Sequence, residues 1–176
     1  VRVMVDANCA YRYYEAIEIA RKMEPYDIFW FEEPVNPDDY KGHKLVSEAT
    51  VIPIATGENE YTRYGFRDLI ESRSAAIIQP DGLIMGGVTE FMKVAALAQA
   101  HDLPIAPHGT QDVHIHLVSA IPNGLILEYY STSTDPLHRE MFEEVLQVEY
   151  GHVRPPNRPG LGIVPNMKVL ERYRVA

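Results

Sequence analysis

Six short, almost unbroken apolar runs punctuate this chain: VRVMVD (residues 1–6), DIFWFEE (27–33), VIPIATGE (51–58), AAIIQPD (75–81), LPIAPH (103–108) and GLILEYY (124–130). A strand with one wet face alternates apolar and polar residues. These runs do not alternate, so each is expected to be covered on both faces, as strands of parallel sheets are. The segments between them carry helical spacing instead. Tyr13, Ala16, Ile17, Ala20 and Met23 form one apolar stripe; Phe91, Val94, Ala95 and Ala98 form another; Val113, Leu117, Ala120 and Ile121 form a third. Strand and helix alternate five times before a closing strand, which predicts an α/β fold with a parallel sheet. With 176 residues, 46% of them hydrophobic, the chain can bury one sizeable core.

After Tyr130 the pattern stops. STSTDPLHREMFEEVLQVEYGHVRPPNRPGLGIVP is rich in turn residues, with a short helix expected near Glu140–Glu144 and an alternating run at Leu146–Val153. Residues 1–135 therefore read as the α/β part and residues 136–176 as a C-terminal extension packed on it. The first run starts inside a strand-like pattern and without methionine, so the chain is expected to be the later part of a longer protein. VRVMVD lacks the basic start and long apolar run of a signal peptide. A formal net charge of −9 argues against nucleic acid or an anionic membrane as partner. No apolar run approaches the ~20 residues needed to span a bilayer. The single cysteine, Cys9, excludes an internal disulfide framework and suits a reducing cytoplasm.

Each run ends on an ionisable side chain: Asp6, Glu32, Glu58, Asp81, His108 and Glu128, the first three at intervals of 26 residues. In parallel α/β folds the C-terminal edge of the strands is where ligands and chemistry gather. Any one such residue alone reads as a helix cap or a solvated loop residue. Six in succession imply a shared mouth. Carboxylates held together there would raise one another's pKa unless a cation neutralised them. Asp6, Glu32 and Glu58 offer three oxygen donors on consecutive strands, a set suited to a hard divalent ion, Mg²⁺ above all. No Cys or His cluster favours zinc. Strand alternation sends one of Glu32 and Glu33 away from the mouth; the equal spacing selects Glu32 and leaves Glu33 behind it. His108 beside Asp81 would be a general base held in one tautomer. Asn8, two residues past Asp6, would point the same way and contact a substrate hydroxyl. Asn59, Thr110 and Gln111 add further polar groups near the strand ends. Cys9 reads as packing, and His114 and His116 as ordinary helix residues. His43, His101, His138 and His152 receive no role, and Gly86-Gly87 reads as a tight turn.

A divalent ion beside a poised base suits removal of the proton α to a carboxylate, with the resulting charge stabilised by the ion. Glu128, if protonated, would donate a hydrogen bond to the same carboxylate. VDAN, WFEEP, GEN, the aspartate of IIQPD, PHGTQ, the glutamate of LILEYY and the late PGLGI resemble the strand-end motifs of the enolase superfamily, and most closely its mandelate racemase subgroup, which includes acid-sugar dehydratases. The resemblance implies a partial (β/α)8 TIM barrel, with the six runs as strands three to eight. On that reading an N-terminal capping domain and two βα units, including a strand with a Lys-x-Lys pair, are absent from this chain, and the chain alone is expected to be inactive. The resemblance makes Asp6, Glu32 and Glu58 Mg²⁺ ligands, His108 backed by Asp81 a catalytic base, and Glu128 the partner of the substrate carboxylate. IIQPDGLIMGG lacks the lysine of the muconate-lactonizing branch. The expected activity is dehydration of a sugar acid through a metal-stabilised enolate, in a cytoplasmic homo-oligomer acting on a small-molecule carboxylate. Racemisation or epimerisation of a 2-hydroxy acid shares the first step. The alternative of another class is a non-catalytic truncated barrel.

Overall fold

The computed structural model describes residues 1–131 and 133–175; Thr132, inside the turn-rich segment, and Ala176 lie outside the described residues. The elements run β1 (Val3–Asp6), α1 (Tyr13–Met23), β2 (Ile28–Glu32), α2 (Tyr40–Ala49), β3 (Ile54–Thr56), α3 (Thr62–Glu71), β4 (Ile77–Ile78), α4 (Val88–Ala100), α5 (Gln111–Ser119), α6 (Pro136–Met141) and α7 (Met167–Arg172). The sheet has the order β1-β2-β3-β4 and every pairing is parallel, with Asp6 opposite Glu32 in register. The fifth and sixth apolar runs continue it through single parallel bridges, Ile78 to Ile105 and Ile105 to Gly124. They are shorter than the sequence suggests for a chemical reason. Pro104 and Pro107 flank Ile105 and have no N–H to give, so the ladder closes around Ile105 alone. Its own N–H reaches Asn123 O at 2.8 Å, and Leu125 N–H reaches back to Ile105 O at 2.7 Å.

Sequential parallel neighbours need crossover connections, and right-handed ones place the helices α1 to α4 that join the strands on one face of the sheet. Strand alternation then divides the core. Phe31, Ile54 and Val46 pack with Ala16 and Ala20, whose small side chains let α1 settle closely on β2. Phe66, Ile78, Phe91, Val94, Ile105 and Leu117 make the second cluster, under α3, α4 and α5. The predicted stripe of α4 is wholly inside, whereas Tyr13 of the α1 stripe is exposed at the first position of its helix and stands edge-on to Tyr14. The other face of the sheet carries Met4, Trp30, Ala55, Ile77 and Ala106, a thinner layer. Full burial of side chains such as Phe66 and Phe91 stabilises by about 1.5–3 kcal/mol each.

The C-terminal segment lies against α5 and the last apolar run. Tyr129 donates its hydroxyl to Leu146 O at 2.8 Å, His116 Nε2 donates to Leu161 O at 2.9 Å, and His138 Nε2 meets the buried Asp112 Oδ2 at 2.5 Å. The helix expected near Glu140–Glu144 starts earlier, because Asp135 caps the His138 N–H and Pro136 sits at the first helical position. The alternating run pairs only at Glu149 and His152, around a Tyr150-Gly151 turn with φ of 53° and 77°, the left-handed pair that a two-residue hairpin needs. Helix α7, capped by Asn166, was not expected. Among the described residues no helix is long and apolar enough to cross a membrane.

Candidate active site

Six ionisable side chains, Asp6, Glu32, Glu58, Asp81, His108 and Glu128, gather at the C-terminal edge of the sheet. Asp6 and Glu32 are the last residues of β1 and β2. Glu58, Asp81, His108 and Glu128 stand two or more residues beyond their strands or bridges, on the loops leading away. The backbone there is bent tightly: Asn8, Glu33 and Thr110 all have positive φ, at 43°, 36° and 32°. Such conformations cost of order 1–3 kcal/mol each and concentrate where the fold must aim side chains. Asp6, Glu32, Gln79 and Glu128 supply the polar lining of a cavity of about 300 Å³ whose apolar wall includes Trp30 and Ala106.

His108 is the hinge of the cluster. Its Nδ1 lies 3.0 Å from Asp81 Oδ2, and its Nε2 lies 3.6 Å from Glu58 Oε2. The Asp81 hydrogen bond, together with the charges of Glu58 and Glu128, pushes the imidazole up to about 9 against the opposing effect of burial. Burial works to raise the Asp81 carboxyl, but the His108 imidazole and the Leu83 N–H hold it below its usual value. Glu58 is pushed up to about 7, first by burial and then by Glu33, Glu32 and Asp6. Glu32 is pushed up to about 6, again first by burial, with Asp6 and Glu128 adding and the bonds from Gln79 and Trp30 opposing. Trp30 Nε1 donates to Glu32 Oε2 at 2.9 Å. Glu128 Oε2 accepts from the Gly109 N–H at 2.5 Å, and burial and the Glu128 carboxylate both push the Tyr130 phenol up.

This donor set fits a hard cation in the type of its donors, three carboxylates on adjoining strand ends. Burial first, and then the charges of neighbouring carboxylates, push Glu58 and Glu32 up, a cost that a bound cation would relieve. Their oxygens are turned to local partners: Asp6 Oδ1 takes the Asn8 N–H at 2.7 Å, and Glu32 takes Trp30. Among the described residues no three His, Cys, Asp or Glu side chains stand converged at metal-holding geometry. Asp6, Glu32 and Glu58 would have to turn toward one another to share an ion.

Other residues differ from the sequence reading. Asn8 does not continue the alternation of β1, which ends at Asp6; it sits in a left-handed turn, exposed, with its N–H on Asp6. Glu33 takes different partners from Glu32, yet its charge still acts on Glu58. Asn59 Nδ2 donates to Glu33 at 3.0 Å and the Cys9 thiol at 2.9 Å, so Cys9 does more than pack; burial, then Glu33, pushes that thiol up. Gln111 is buried and bonds both backbone groups of Tyr130, which with Asn59 removes two of the polar groups offered to a substrate. Gln79 was missed. The signal in the sequence was a polar residue inside the apolar run AAIIQPD, and the structure buries it. His114, read as an ordinary helix residue, is wholly buried between two site loops.

Residues 1–169 match the family model described as enolase C-terminal domain-like. The chain is 34% identical to a D-xylonate dehydratase from Haloferax volcanii, over 98% of this chain and 43% of that protein. It is 36% identical to a 3,6-anhydro-alpha-L-galactonate cycloisomerase from Streptomyces coelicolor, over 98% of this chain and 47% of that one. The structure superposes with a TM-score of 0.88 on L-talarate dehydratase from Polaromonas sp. JS666 complexed with Mg and L-glucarate, at 34% identity, covering 97% of this chain and 46% of that chain. On a racemase from Streptomyces coelicolor with bound magnesium the TM-score is 0.92 at 36% identity, covering 99% of this chain and 47% of that chain. The chain thus spans less than half the length of each of these relatives.

Proposed function

We infer the function of this chain from a premise now in hand: it belongs to the enolase C-terminal domain-like family. The proposed reaction is abstraction of the proton α to the carboxylate of a sugar acid, followed by loss of the β-hydroxyl as water. The observation that carries it is His108 held between Asp81 and Glu58 at a mouth of mutually repelling carboxylates. The dehydratases and Mg-bound structures among the relatives support the same reading.

In this proposal Asp6, Glu32 and Glu58 are the residues that would hold Mg²⁺, and the ion would supply positive charge beside the substrate carboxylate. His108 moves the proton. Its Nδ1 is fixed by Asp81, which leaves Nε2 toward the mouth. Raised to about 9, it holds a proton readily and suits the acid role toward departing hydroxide. Neutralising Glu58 and its neighbours would lower it toward a working base. Glu128 Oε2 is taken by the Gly109 N–H, so the hydrogen bond expected from Glu128 toward a substrate carboxylate falls to its other oxygen. Asn8 keeps its proposed place near substrate hydroxyls through its exposed turn. The six runs are assigned as strands three to eight of a (β/α)8 barrel, residues 136–176 as its C-terminal extension, and the working form as a homo-oligomer.

Racemisation shares the first step, and the Streptomyces racemase favours keeping it as the second reading. The relatives named above are enzymes, which disfavours a non-catalytic fragment. The test is a screen of acid sugars with the intact protein and Mg²⁺ in deuterium oxide. Formation of a 2-keto-3-deoxy acid supports dehydration. α-Deuteration without loss of water supports racemisation, and neither across the panel refutes the reaction class.

A further inference from the structure

His114, on the fourth residue of α5, has no exposed surface. Its Nε2 lies 2.8 Å from the Gly82 N–H and its Nδ1 lies 2.7 Å from Gly109 O. A backbone N–H only donates and a carbonyl only accepts, so this pattern dictates the tautomer: Nε2 is bare and Nδ1 carries the hydrogen. A second proton on Nε2 would set two N–H groups against each other. Burial lowers the imidazole in the same direction. The 3.6 Å approach of Asp81 Oδ1 to Nε2 is therefore a contact between two acceptors and not an ion pair.

The two loops joined by this ring are the ones that matter. Gly82 follows Asp81 and Gly109 follows His108, and the Gly109 N–H in turn bonds Glu128. The loop of residues 81–87 is closed on itself by the Met85 N–H to Asp81 O at 2.9 Å and the Gly87 N–H to Gly82 O at 2.8 Å, so His114 ties Gly109, at φ +54°, to an already built turn. The ring closes in so far that a Cβ on Gly82 would lie 3.2 Å from Nε2 and 3.1 Å from Leu117. Phe91 stacks on the imidazole, centroids 6.2 Å apart, and fixes its plane. We propose that His114 is a positioning residue: by bonding Gly82 and Gly109 at once it sets the distance between Asp81 and His108. The proposal rests on that pair being the proton-transfer pair of the proposed reaction.

The test uses three variants of the intact protein. His114→Leu makes neither bond, His114→Asn retains reach to Gly109 O, and His114→Gln retains an acceptor for the Gly82 N–H. In the wild type, ¹⁵N shifts of the His114 imidazole should show the neutral Nδ1–H tautomer. In His114→Leu the Gly82 amide should exchange faster, and kcat should fall on the order of 100-fold with KM and Mg²⁺ affinity unchanged, as for misplacement of a reacting group by about 1 Å. His114→Gln should restore Gly82 protection and part of kcat. A proton found on Nε2, or wild-type Gly82 exchange or kcat in the leucine variant, overturns the proposal. If the leucine variant does not fold, equal Gly82 protection in the Asn and Gln variants overturns it. If the wild type turns over no acid sugar, the reaction fails while the tautomer and the Gly82 exchange still judge His114.

Discussion

Magnesium binding should be steeply pH-dependent, and the structure sets the size of the effect. Glu58 is pushed up to about 7 and Glu32 to about 6, both primarily by burial. An ion must take them as carboxylates, so at low pH it competes with their protons. Between pH 8 and pH 5 the ionised fraction of Glu58 falls about 90-fold and that of Glu32 about 11-fold, so apparent Mg²⁺ affinity should drop about a thousandfold, or about 4 kcal/mol. At pH 6.5 the two groups together should release about one proton per ion bound. The sign is fixed: both shifts are upward, so acid weakens binding and raising the pH through 7 restores it. Above pH 7 His108 should add to the release, because an ion on Glu58 removes part of what holds the imidazole at about 9. Calorimetric titration of the intact protein, in buffers of different ionisation enthalpy, measures both quantities. An affinity that changes less than about tenfold across this range, with no buffer-dependent heat, would refute the assignment of these carboxylates.

Asp81→Asn removes the partner that most raises His108, so the pKa governing the acidic limb of kcat/KM should move down from about 9; an unchanged profile counts against the pair. Gly57→Ala places a Cβ 3.0 Å from Phe66 Cε1 and 3.1 Å from the Gln79 backbone nitrogen at φ +138°. It should destabilise by about 1–3 kcal/mol, read from the urea midpoint. Phe91→Ala, at a wholly buried position of α4, should cost about 3–5 kcal/mol by the same measurement.

The alternation of apolar runs and helical stripes settled the α/β class and the parallel sheet before any coordinates, because those periods are properties of each segment alone. Asp6, Glu32, Glu58, Asp81, His108 and Glu128 were legible for the same reason: the end of a strand is visible where the apolar run stops, and a parallel sheet sends all such ends to one edge. Tertiary structure decided what each of them touches. The lengths of the last two strands depended on which N–H groups Pro104 and Pro107 withhold from their neighbours. That Asn59 and Gln111 are spent on Glu33 and Tyr130, that Gln79 lines the same cavity as Glu32, and that His114 joins Gly82 to Gly109 all depend on partners distant in sequence. Burial and hydrogen bonding between such partners are set only when the sheet closes. The sequence therefore named the charged groups, while the packing of neighbouring loops decided which hold protons, which hold each other, and which imidazole stays neutral.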